Sequence, residues 1–196
     1  MNDLWALARL TVKDPRAGMR GLLQTNPSSG VRMMALGLMA VASSLMMHFS
    51  LWLAPMPAPN PLIEMLISTP FTTAIVQIVV LIMASWLIFQ VGKAWGGQGS
   101  FDDAVLAVVW LQVFLLTLQA AQTIGLALVP AVAVLIGPLS IVVFFWLQTQ
   151  FVAEIHGFAS GTKVFLGIIL TIFAVSFLAV FLIMALFGPE ALPRHV

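Results

Sequence analysis

AVLAVVWLQVFLLTLQAAQTIGLALVPAVAVLIGPLSIVVFFWLQTQFVA, residues 104 to 153, is a run of 50 residues without one Asp, Glu, Lys or Arg. A membrane helix needs about 20 apolar residues. The run is therefore too long for one span and long enough for two with a turn. Asp102 and Asp103 stand before it and Glu154 after it. Two helices in a hairpin return both acidic ends to the same membrane face. Gly125 to Pro130 is the preferred turn, which puts the two spans at 104–124 and 131–153. A turn nearer Gly137 and Pro138 is the alternative, and it keeps the same topology. With the first turn, Pro138 becomes a kink inside the later helix, tolerated where neighbours satisfy the freed carbonyl.

The rest of the chain carries the same signature. Of 196 residues, 61% are hydrophobic and 8% are charged, against about 25% charged in a soluble domain. So few charges cannot build a water-facing surface, so the bilayer is the main solvent. A net charge of +1 gives no electrostatic case for nucleic acid. The chain has no Cys, which excludes disulfides, thiolate nucleophiles and Cys-based metal sites. The first apolar run begins at Val31 and continues at spanning length, so no cleavable signal peptide is expected.

Along the whole chain the apolar runs predict five spans, at about 31–53, 71–92, 104–124, 131–153 and 164–187. Residues 1–30 carry Arg9, Lys13, Arg16 and Arg20 against Asp3 and Asp14. Leu4, Leu7, Ala8 and Thr11 share one helical face, which predicts an interfacial helix on an anionic leaflet. Asp14 followed by Pro15 reads as the cap and first position of a second short helix. Pro55, Pro57, Pro59 and Pro61 favour an extended polyproline path between the first two spans. Ser100 with Asp103 fits a capping box. Seven basic residues (Arg9, Lys13, Arg16, Arg20, Arg32, Lys93 and Lys163) fall on one side and Arg194 on the other. The positive-inside rule then puts the N-terminus in the cytoplasm and the short tail 188–196 outside. The fold class is all-α: a polytopic five-helix bundle with short interfacial N-terminal helices.

Four groups could carry chemistry at the cytoplasmic ends of the third and fourth spans: Asp102, Asp103, Glu154 and His156. Three carboxylates and an imidazole are able to bind a divalent cation or relay protons. The competing reading has the aspartates offset a helix dipole and Glu154 pair with Lys93 or Lys163. Gln112, Gln119 and Gln122 fall within about 80° of arc. They either line a polar path or bond between helices. Gln150 shares a face with Glu154, four residues on. His48, in the outer third of the first span, is expected to bond within the bundle or reach the interface. Gly157 to Gly161 is no nucleophile elbow, and Ser160 to Lys163 lacks the order of a phosphate-binding loop. Neither an enzyme nor a cofactor is expected.

The turn Gly96-Gly97-Gln98-Gly99-Ser100-Phe101-Asp102-Asp103, together with Trp146 to Phe151 leading into Glu154-Ile155-His156-Gly157-Phe158, resembles bacterial members of the Yip-domain family, the Ypt-interacting proteins. The resemblance covers nearly the whole chain and implies a five-helix domain with a cytoplasmic N-terminus. Eukaryotic relatives are implicated in vesicle traffic with Rab-type GTPases and in shaping membranes. The segment ahead of the first span here is short beside theirs, which weakens a vesicle-traffic expectation. The family supplies no catalytic residues to carry over. The expected function is that of a non-enzymatic protein of the bacterial inner membrane. It acts through lipids, other membrane proteins or self-association, in membrane organisation or a traffic-like role. The alternative is a small oligomeric channel or transporter gated by the acidic and histidine groups.

Overall fold

Capping chemistry sets most of the helix starts. Asp14, Ser28, Thr69 and Ser100 each accept a hydrogen bond from a backbone N–H in the first turn that follows. Pro15, Pro70 and Pro130 occupy first helical positions, where the missing N–H costs nothing. The computed structural model describes residues 2–55, 58 and 61–187. The tail 188–196, and Pro57 and Pro59 of the expected polyproline path, lie outside the described residues.

Among the described residues eight helices follow in order: α1 (Asn2–Lys13), α2 (Pro15–Gln24), α3 (Ser29–Leu53), α4 (Pro61–Leu66), α5 (Pro70–Ala94), α6 (Phe101–Leu128), α7 (Pro130–His156) and α8 (Gly161–Phe187). No strand occurs among the described residues. Five of the helices, α3, α5, α6, α7 and α8, are long and apolar enough to cross a membrane. The protein is thus an all-α polytopic membrane protein.

The turn of the central hairpin is shorter than expected. α6 continues through Gly125 to Leu128, and Val129 alone separates it from α7. Gly125 serves close packing instead of a turn. A Cβ there would stand 3.3 Å from the backbone nitrogen of Ala133 on α7. Pro138 stays inside α7, so the alternative turn at Gly137 and Pro138 is also set aside.

α6 is the central helix, packed by α3, α5 and α7. Every residue from Ala104 to Gln112 is buried. A helix buried on all sides must be apolar on all sides, which is why the charge-free run begins here. Leu36, Ala40 and Leu81 meet Val105 and Val109 on one flank. On the other, Met19 and Leu22 of α2 join Trp110, Leu147, Phe151 and Ile155. Leu7 and Ala8 pack against that second cluster, and Thr11 is fully buried. The α1 face expected on lipid headgroups is therefore turned largely into the protein. α8 packs chiefly along α7 and leaves Phe173, Phe177 and Phe181 exposed. At the far end His48 lies between the carbonyls of Ser44 (3.0 Å) and Ile67 (3.2 Å). The ring bridges α3 to the segment before α5.

Candidate functional site

The chemistry of helix ends assembles the polar end of this bundle, where α1 and α2 sit. α5 and α7 finish with the same glycine device, a Schellman motif. At α5, Gly96 N–H donates to Lys93 O (3.0 Å) and Gly97 N–H to Gly92 O (2.8 Å). At α7, Gly157 N–H donates to Glu154 O (3.2 Å) and Phe158 N–H to Ala153 O (2.8 Å). Gly96 and Gly157 have φ of 83° and 73°, the left-handed region that glycine enters without a Cβ penalty.

His156 locks the two ends together. Gly99 N–H donates to its Nδ1 at 3.2 Å, and its Nε2 lies 3.1 Å from Ile88 O. Since Nδ1 accepts, Nε2 carries the proton and donates to that carbonyl. Both ring nitrogens are occupied, so no lone pair is left for a metal. A Cβ on Gly92 or Gly97 would overlap the imidazole. Gln98 N–H also donates to His156 O at 3.3 Å. The two stretches GGQGSFDD and EIHGF thus meet in space through one residue, His156, by its ring and its carbonyl.

The charges are divided among separate partners. Arg32, only 6% exposed, donates to Asp103 Oδ1 (3.1 Å), Pro27 O (2.9 Å) and Asn26 Oδ1 (3.3 Å). Asp103 completes the capping box with Ser100. Ser29 donates to Asp102. Arg20 holds Glu154 with two bonds, 2.7 and 3.1 Å. The Glu154 carboxylate, by hydrogen bond and then by charge, raises the Arg20 guanidinium above its ordinary value. Arg16 donates to Gln150 Oε1 (2.8 Å) and Phe158 O (3.2 Å). Glu154 therefore pairs with Arg20, not with Lys93 or Lys163. The cation or proton-relay cluster of Asp102, Asp103, Glu154 and His156 is not assembled. Among the described residues, no three His, Asp or Glu side chains gather closely enough to hold a metal ion.

The glutamines divide in the same way. Gln150 bonds across to α2. Gln112, Gln119 and Gln122 make no side-chain hydrogen bond with any described residue, although Gln112 is buried. Sequence reasoning missed the arginines as docking groups. The signal was available: Arg16 and Arg20 are four apart on α2, as Gln150 and Glu154 are on α7. The matched spacing lays α2 alongside the last turns of α7, running in the same direction. It also missed Thr11, whose Oγ1 accepts from Trp110 Nε1 at 3.0 Å and ties α1 to the central helix.

A family model described as Yip1 domain matches residues 9–184, a span that contains the glycine turn, the α7 end and all three docking arginines. No curated protein and no solved structure matches the chain.

Proposed function

This chain belongs to the Yip1 domain family, and on that premise we propose a non-enzymatic, multi-pass protein of the bacterial inner membrane. In this reading its basic end faces the cytoplasm and works through anionic lipids or partner proteins, in membrane organisation or a traffic-like role. One observation carries the reading. Arg16, Arg20 and Arg32 are consumed inside the protein by Gln150, Glu154 and Asp103. Arg9, Lys13, Lys93 and Lys163 are not: among the described residues they make no ion pair, and all four are exposed. Arg9 lies over the Trp5 ring, 5.1 Å from its centroid, with Trp5 itself exposed. A basic rim with an aromatic beside it suits the headgroup region of an anionic leaflet. The channel reading has less support, because Asp102, Asp103, Glu154 and His156 each bond to a separate partner.

The test uses protein reconstituted in phosphatidylcholine vesicles containing a minority of phosphatidylglycerol, with spin-labelled lipids of either headgroup. The immobilised fraction should favour the anionic label. Alanine at Arg9, Lys13, Lys93 and Lys163 together should remove that preference, since each basic group near the surface is worth about 1 kcal/mol. Equal immobilisation of both labels by the unaltered protein would refute the lipid arm of the reading.

A further inference from the structure

A crevice of about 420 Å³ opens between α5, α7 and α8 at the basic end. Leu87 and Val91 of α5, Phe144 and Val152 of α7, and Ile168 and Ile172 of α8 form its apolar walls. Trp95, Ser160 and Lys163 stand at its mouth. It extends from Trp95 to Ala84 along α5 and from Lys163 to Ile172 along α8. At 1.5 Å per residue this is a depth of about 15 Å, half the thickness of a bilayer's hydrocarbon core. The crevice therefore runs the depth of one leaflet.

Two polar groups distinguish it from a passive gap. Gln148 lines it, is 8% exposed as a residue, and its side chain makes no hydrogen bond with any described residue. An amide that opens onto an apolar crevice without a protein partner is poorly satisfied there, which favours an occupant that brings a polar atom to that depth. Lys163 has no carboxylate partner among the described residues and flanks the same opening, which calls for an anion. A second copy's helix, about 10 Å across, has its backbone groups already satisfied and brings no acceptor for the Gln148 amide.

We propose that this crevice binds one acyl chain of an anionic glycerophospholipid. The chain lies against Val91, Phe144 and Ile168, an ester carbonyl accepts from Gln148, and the phosphate meets Lys163. The site rests on the lipid reading above and gives it a place and a stoichiometry.

The test is native mass spectrometry of the detergent-purified chain exposed to phosphatidylglycerol or phosphatidylcholine. One phosphatidylglycerol should be retained per chain, in preference to phosphatidylcholine. Lys163→Ala should weaken its retention about fivefold, as the loss of one surface charge near phosphate implies. Ile168→Trp, which fills the crevice, should abolish retention of both lipids. Gln148→Leu removes the amide at nearly constant volume and should weaken retention even if the tryptophan variant fails to fold. Unchanged retention by Gln148→Leu, or by a folded Ile168→Trp, would overturn the site. Retention lost only on alanine substitution of Arg9, Lys13 and Lys93 would also overturn it, while leaving the basic-rim reading intact. Equal retention of both lipids would overturn the assignment of an anionic headgroup.

Discussion

Gly92 is a helix residue whose effect on stability runs against its propensity. Alanine in a helix interior ordinarily gains about 1 kcal/mol over glycine. Here a Cβ would overlap the His156 ring, so Gly92→Ala should destabilise by about 2 kcal/mol, the range for overpacking a tight interior. In a His156→Ala background the same change should become neutral or stabilising. Thermal unfolding of the four proteins of this cycle in detergent measures the coupling. Thr149 predicts the opposite sign. Its Oγ1 is buried without a partner, so Thr149→Val should stabilise by about 1 kcal/mol. Arg32 has three acceptors and almost no exposure. Arg32→Ala should cost about 3 kcal/mol, and Arg32→Lys should recover only part of it, because a single ammonium cannot reproduce the guanidinium fork.

At the scale of helices, α2 is held to α7 by a parallel pair of contacts, Arg16 to Gln150 and Arg20 to Glu154. Glu154→Gln should raise amide exchange across α2 while α6 stays protected. Exchanging the charges, with Arg20→Glu and Glu154→Arg together, should restore protection. The raised value of Arg20 adds stability that is present below its unfolded value and is lost only as pH rises through the folded one. Mild alkaline titration should therefore leave α2 docked. Local chemistry made the starts of these helices legible: Asp14 before Pro15, Thr69 before Pro70, and Ser100 with Asp103 are all readable from neighbours in sequence. The turn at Val129 was not. A glycine and a proline five residues apart read locally as a break, but Gly125 answers to Ala133 across the hairpin and Pro130 to the start of α7. The candidate cluster failed for a related reason. Helix ends give the depth of Asp103, Glu154 and His156 but not their rotation about the helix axes, and rotation decides partners. His156 turns to the glycine turn, Glu154 to α2 and Asp103 to α3.

Across the whole molecule, burial falls from α6 outward. α6 is packed by α3, α5 and α7, α7 also carries α2 and α8, and α8 touches little beyond α7. This gradient leaves the crevice beneath α8 and gathers the free basic groups at one end. That arrangement has functional meaning only if the basic end lies against the anionic cytoplasmic leaflet. Because the chain has no Cys, single cysteines can report the orientation without background. Gln98→Cys lies in the exposed turn at the basic end and Ser68→Cys in the exposed turn at the far end. In intact cells with a permeabilised outer membrane, a membrane-impermeant maleimide should label Ser68→Cys at once, and Gln98→Cys only after the inner membrane is opened. Labelling of Gln98→Cys from outside, with Ser68→Cys protected, would contradict the account.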